Sequence, residues 1–160
     1  MLGLSSSVIN QRNTPFKLVN TIDLTAFSSW NQSDVSTFSE VSGGLGWDVV
    51  DADDDWMVYS DAFTVPSYAE RIIVTYDLSI GLIEADGDMI VKLSSQTDGG
   101  GTSIAIGAYD ETTSATTVAG VSAPVATNTA YTRLVFRDLA GTNKNTVILG
   151  LTNCYVHILQ

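Results

Sequence analysis

Arg71-Ile-Ile-Val-Thr-Tyr-Asp-Leu-Ser79 and Met89-Ile-Val-Lys-Leu-Ser-Ser95, separated by the polar break Glu84-Ala-Asp-Gly-Asp88, decide how this chain is read. Ile72, Val74, Tyr76 and Leu78 share one face of an extended chain, and Ile73, Thr75, Asp77 and Ser79 share the other. Met89, Val91 and Leu93 repeat the pattern, with Lys92 and Ser94 opposite. Period-two alternation of β-branched and aromatic residues predicts two strands. The Asp86-Gly87 pair between them is a tight-turn signal, which predicts that the strands form a hairpin. The stretch carries no catalytic motif.

The composition agrees with a protein built of strands. The chain has 160 residues, a size at which one domain is the expectation and roughly 70% of the unfolded surface is buried on folding. Only 16% of residues are charged, 13 are Gly, and Ser, Thr and Val are abundant. Seven basic residues stand against 18 acidic ones, a formal net charge of −11. The cations, from Arg12 to Lys144, form no run. Nucleic acid and anionic lipid would repel such a chain, so neither is an expected partner.

Cys154 is the single cysteine, so no intramolecular disulfide is possible. It alternates with Val156 and Ile158 and reads as a small buried residue. The opening Met-Leu-Gly-Leu-Ser-Ser-Ser has neither the basic region nor the apolar run of a signal peptide, and no apolar run approaches the length of a membrane span. The expectation is a complete product made and folded in a cytoplasm.

Working outward, residues 1–18 read as an N-terminal arm and residues 19–160 as one β-sandwich domain. The arm is polar but dotted with Leu2, Leu4, Val8, Ile9 and Phe16. Either it is a frayed terminus ending in a short edge strand, or it orders against a neighbouring chain and buries these five side chains there. Further strands are expected within 17–30, at 37–41, 47–51 and 56–60 (continued through 62–65), and at 103–110, 115–122 and 131–139. The chain should finish with 146–152 and 154–159, as two strands or one bent one. Eight to ten strands with regular turns and no helical period predict an all-β fold, an antiparallel sandwich or jelly roll.

Three groups of residues invite a chemical reading. Asp51, Asp53 and Asp55 occupy positions 1, 3 and 5 of a calcium-loop pattern. Trp56 and Ala62 then stand where the pattern needs Gly and Glu, so an EF-hand is excluded. A looser calcium site remains as one reading and a solvated acidic turn as the other. His157 is the single histidine, and its three-residue spacing from Cys154 puts the two on opposite faces of a strand, which argues against a dyad. No Gly-x-Ser-x-Gly elbow is present, and Gly99-Gly100-Gly101 lacks the lysine and helix of a phosphate loop, so it reads as a turn. No catalytic residue, resident metal or cofactor is assigned. Trp30, Trp47, Trp56, Tyr59 and Tyr109 could include a platform for a sugar ring, since flat apolar ring faces suit pyranose C–H faces. The competing reading makes most of them core.

The segments Phe27…Trp30, Gly46-Trp-Asp-Val, Trp56-Met-Val-Tyr-Ser, Phe63-Thr-Val-Pro and Ile73-Val-Thr-Tyr-Asp-Leu-Ser come in an order that resembles jelly-roll carbohydrate-binding modules and related galactose-binding-like domains. Tyr131-Thr-Arg-Leu-Val-Phe and Asn153-Cys-Tyr-Val-His-Ile continue the likeness, which covers most of residues 20–159. It is a likeness of strand layout and carries over no ligand residue. The fold is also reused in tailed-bacteriophage decoration, head-fibre and tail proteins. The resemblance to that group implies a non-enzymatic virion protein: a capsid decoration or cement subunit on the outer shell. Its partners would be the major capsid protein and its own copies, as a homotrimer. The alternative it implies is a carbohydrate-binding or host-attachment protein with a glycan ligand.

Overall fold

The computed structural model describes residues 16–32, 36–41, 44–52, 56–59, 62–84, 88–110, 114–121, 125–138 and 144–160. In chain order its strands are β1 Leu18–Asp23, β2 Trp30–Gln32, β3 Ser36–Val41, β4 Gly44–Ala52, β5 Trp56–Tyr59, β6 Arg71–Ile83, β7 Met89–Ser94, β8 Ser103–Tyr109, β9 Thr116–Val121, β10 Val125–Ala126, β11 Arg133–Asp138 and β12 Lys144–Leu159. Ten of these have four residues or more, and β2 and β10 are shorter pairings. All pairings are antiparallel, in two sheets. The chain is thus an all-β sandwich.

The larger sheet is organised on β6 and β12, which pair from Ile83↔Thr146 to Arg71↔Leu159. β9 and β10 line up along the far side of β6; β4 and β1 line up along the far side of β12, and β3 adds to β4. The smaller sheet runs β2-β5-β11-β7-β8. Alternation in β6 is obeyed throughout its first ten residues: Ile72, Val74, Tyr76, Leu78 and Ile80 are buried, and their neighbours are half-exposed. In β12 the alternation is reset at Asn153, whose φ of 48° and the register shift between Thr152 and Tyr155 mark a bulge. The chain's last strand is therefore one bent strand.

The expected hairpin does not form. β6 lies in the larger sheet and β7 in the smaller, so the polar break at 84–88 joins one sheet to the other. Alternation fixes which face of a strand is buried but not which strand lies beside it. β12 offers β6 a partner along its whole length, and β11 and β8 flank β7. The two apolar faces of the stretch therefore meet through the core instead of side by side. Residues 62–65 are also not a strand. Phe63 and Val65 are buried as the alternation requires, but the Phe63 amide donates to Thr132 O (3.0 Å) and no ladder follows. Lys17 and Leu18, where the arm and the first strand expected within 17–30 overlap, join the sheet: Lys17 exchanges two backbone hydrogen bonds with Gln160, and Leu18 opens β1.

Aromatic side chains bridge the two layers. Phe136 of β11 lies edge-on to Tyr76 of β6 (centroids 5.5 Å apart) and tilted to Trp30 (5.9 Å). The Tyr76 hydroxyl shares a 2.7 Å hydrogen bond with that of Tyr109 in β8. Tyr76 fits because two neighbours are glycines. A Cβ on Gly120 would overlap its ring, and one on Gly107 would stand 2.6 Å from its hydroxyl.

At one pole of the sandwich lie the strand ends joined by five connections from sheet to sheet, those between β2 and β3, β4 and β5, β6 and β7, β8 and β9, and β11 and β12. By sequence these five segments hold half of the 18 carboxylates and no Lys or Arg. The opposite pole holds both Lys17 and Gln160.

Burial raises the Cys154 thiol and the Tyr76 phenol above their ordinary values. Each keeps its proton in the folded state and loses it on unfolding once the pH exceeds its ordinary value, about 8.5 for Cys and 10 for Tyr. Stability should therefore fall as pH rises above about 8.5. Urea unfolding should show a loss approaching 1.4 kcal/mol per pH unit above the thiol's ordinary value. The Cys154→Ala variant, though less stable throughout, should stay nearly level until the phenols titrate. Equal slopes in the two proteins would refute this.

Candidate functional site

A sandwich offers two outer sheet faces, and one of them here is covered. Val135 points away from the core, between inward-facing Leu134 and Phe136, yet it is fully buried. The loop after β7 lies over it. Gly99, at φ 77°, sits close enough that a Cβ there would be 3.5 Å from the Val135 side chain. Ser94 Oγ donates to Gly100 O (2.7 Å), Arg137 Nη1 donates to Asp98 O (3.0 Å), and Ser95 and Thr102 close the loop through a backbone bond of 3.0 Å. The glycine run is thus a turn, as its sequence implied, and the turn closes over the middle of the smaller sheet's outer face.

The outer face of the larger sheet carries no such cover among the described residues. Its central rows follow from the β1–β12–β6 register. Tyr155 stands between Asp23 of β1 and Thr75 of β6, and His157 stands between Thr21 and Ile73. The two rings lie 6.1 Å apart with their planes at 36°. His157 is held on both sides, with Nε2 hydrogen-bonded to Thr75 Oγ1 at 2.9 Å and Nδ1 to Thr21 Oγ1 at 3.2 Å. In the neutral ring one nitrogen donates and the other accepts. One step along β12, Asn153 Nδ2 donates to Asp77 Oδ2 at 2.6 Å. At the end of β1 the hydroxyl and amide of Thr25 donate to Asp23 Oδ1 (2.6 and 2.8 Å) and hold that carboxyl below the usual range, so it is ionised at neutral pH. Arg71 closes the row, its guanidinium 5.3 Å from the centre of the Phe16 ring.

The face therefore presents two rings flanked by hydroxyls, one amide and two carboxylates. No pocket opens among the described residues. Cys154 points into the core and is 1% exposed, while His157 faces out, so the spacing argument against a dyad holds. The one histidine already has a threonine hydroxyl at each nitrogen, and the one thiol is buried with its proton. Such a surface can bind an extended polar ligand lying across the strands, and it brings no nucleophile and base together.

Several candidates read from sequence lie elsewhere. Trp30 and Trp47 are core residues, 7% and 1% exposed, and not a platform. The Trp30 indole donates inward to Leu24 O (2.9 Å). Tyr109 is half-buried and engaged with Tyr76. The side chains of Trp56, Tyr59 and Asp51 fall outside the described residues, as do Asp53 and Asp55 entirely, and with them the calcium candidates. Among the described residues no three His, Cys, Asp or Glu side chains group as metal ligands. Of the arm residues, Leu2, Leu4, Val8 and Ile9 lie outside the described residues; Phe16 is 46% exposed beside Arg71. Sequence reasoning missed Tyr155, Asn153 and Asp77 as one surface. Their outward parity was readable, but their alignment needed the β6–β12 register.

No family model matches the chain, and no curated protein does. Solved structures with a similar course of chain include carbohydrate-binding modules. The C-terminal family 6 module of a marine laminarinase from Zobellia galactanivorans shares 15% identity over 88% of this chain and 98% of that one, with a TM-score of 0.45. A family 61 module in complex with β-1,4-galactotriose shares 12% over 82% and 90%, with a TM-score of 0.48. A chitosan-binding module from a chitosanase/glucanase of Paenibacillus sp. IK-5 shares 8% over 86% and 98%, with a TM-score of 0.49. The assignment of a two-sheet sandwich rests on the strand pairings themselves.

Asn153 is the one non-glycine residue among those described with positive φ. Asn accepts the left-handed region more readily than Ala, and Gly accepts it freely. Asn153→Ala should lower stability in urea by roughly 1–2 kcal/mol, the left-handed penalty plus one hydrogen bond. Asn153→Gly should cost about 1 kcal/mol less than that. Equal losses in the two variants would show that the bulge does not constrain this residue.

Proposed function

We propose that this chain is a non-catalytic glycan-binding domain that uses the outer face of its larger sheet. The observation that carries the reading is the row of Tyr155 and His157 rings bordered by Asp23, Asp77 and Asn153. Ring faces take up the apolar faces of a sugar, and planar carboxylate and amide groups take up its hydroxyls. A surface with no pocket among the described residues suits an internal stretch of a glycan and not a single buried sugar. Two carboxylates on the face, in a protein of net charge −11, favour neutral or amino sugars over sulfated or uronic ones.

A glycan array tests this, with isothermal titration on neutral and amino-sugar oligosaccharides, β-1,4-galactotriose and chitosan oligomers among them. Binding is expected, with Tyr155→Ala weakening it roughly 2- to 10-fold, the range of a lost ring contact of about 0.5–1.5 kcal/mol, and leaving the circular dichroism spectrum unchanged. An array without binding, or one that responds only to anionic glycans, overturns the reading.

A second reading, a capsid decoration subunit on a virion, is favoured by one feature. Phe16 and Leu18 are exposed where the arm meets the sheet, 46% and 54%. They would extend an apolar contact made by residues 1–15 on a neighbouring subunit. Stoichiometric presence in purified phage particles, lost when residues 1–15 are deleted, is the expected result. Particles that never contain the chain dismiss this reading.

A further inference from the structure

The two sheets end in six edge strands, and five of them carry a feature that hinders pairing with another chain. β1 has a bulge between Leu18 and Asn20 and ends in Asp23. β2 is three residues long, and β10 is two, directly after Pro124. β3 contains Glu40, and β8 pairs with β7 through a register shift between Val91 and Lys92. β9 is the exception. Thr116–Val121 pairs with β6 in six consecutive steps without a shift, and among the described residues it has no partner on its other side. It contains no charge and no proline, and the sequence has no charged residue anywhere from Thr112 to Thr132. Its outward side chains are small, with Thr117 and Ala119 exposed.

We propose that β9 is a self-association edge, where two copies pair antiparallel about a two-fold axis through Ala119. An isologous contact brings the same patch of each copy together. Centred on Ala119, it sets Thr117 opposite Val121 and Val118 opposite Gly120, so positions of one parity meet positions of the same parity. A second copy is the fitting occupant because of charge. Two proteins of net charge −11 repel at most approaches, and this uncharged run sets no carboxylate against its own image. Thr, Ala and Gly let the backbones close to the normal strand spacing of about 4.8 Å. Six residues of pairing span only about 20 Å, well short of a standard interface, so the dimer is weak and concentration-dependent. Added salt screens the repulsion between the two bodies and strengthens it.

Sedimentation equilibrium of the full chain, from about 10 μM to 1 mM in low and high NaCl, reads this directly. Dimer is expected to rise with protein concentration and with salt. Ala119→Glu and Ala119→Lys each place like charges across the axis and should give monomers; an equimolar mixture of the two should dimerise again. Ala119 is exposed, and recovery in the mixture shows that both variants are folded. A monomer under every condition, a dimer that persists in Ala119→Glu, or no recovery in the mixture overturns the proposal. Because Ala119 pairs with Asp77 at the border of the outer-face site, glycan binding is read separately, on the unsubstituted chain at concentrations where it is monomeric.

Discussion

Strands β6 and β12 pair along almost their whole length, and the remaining strands of the larger sheet attach to that pair directly or through one neighbour. The constraint is topological as well as energetic. Arg71 and Leu159 are far apart in sequence and face each other in the ladder, so the loop that β6 and β12 close contains most of the smaller sheet. The entropy of closing that loop is recovered through the buried faces of the two strands, where Ile72, Val74, Leu78, Val156 and Ile158 are fully buried. Loss of that ladder would free β9 and β10 from one side and β1 and β4 from the other.

Much of this was legible in the residues because alternation is a local property. The inward positions of β6, β7 and β11 follow from apolar spacing, as does the burial of Cys154, Val156 and Ile158. Pairing is not local. The turn chemistry of Asp86-Gly87 is the same whether the chain turns beside itself or crosses to the other sheet, so a hairpin was expected where an intersheet connection stands. Phe63 and Val65 show a different gap: their alternation describes two buried side chains without a ladder behind them. The bulge at Asn153 gave no glycine signal, although it sets the direction of Asn153 and, through it, the link to Asp77.

The candidate site depends on the same register. Tyr155 and His157 become neighbours of Asp23, Thr21 and Thr75 only once β1 and β6 flank β12. The tryptophans that looked suited to a ligand in the sequence face inward instead, with Trp30 tied to Leu24 and Trp47 almost wholly buried. Large rings are a poor guide to a surface in a sandwich, because the space between two sheets is where they fit best. The smaller sheet spends its outer face on holding its own loop, and that leaves one broad face without cover among the described residues.

The crowding of intersheet connections at one pole makes the whole molecule an electrical dipole. By sequence half of the carboxylates fall in the five connecting segments, whose flanking strand ends lie at one pole, and the opposite end holds Lys17 and Arg71. Its field reaches beyond any contact, over about a Debye length, and exerts a torque on the domain as it diffuses. In the field of another charged body the two ends feel unequal forces, and the end where Phe16 emerges is the one less strongly repelled by negative charge. The orientation of first encounter is then chosen before a single hydrogen bond forms, by where the chain crosses from sheet to sheet.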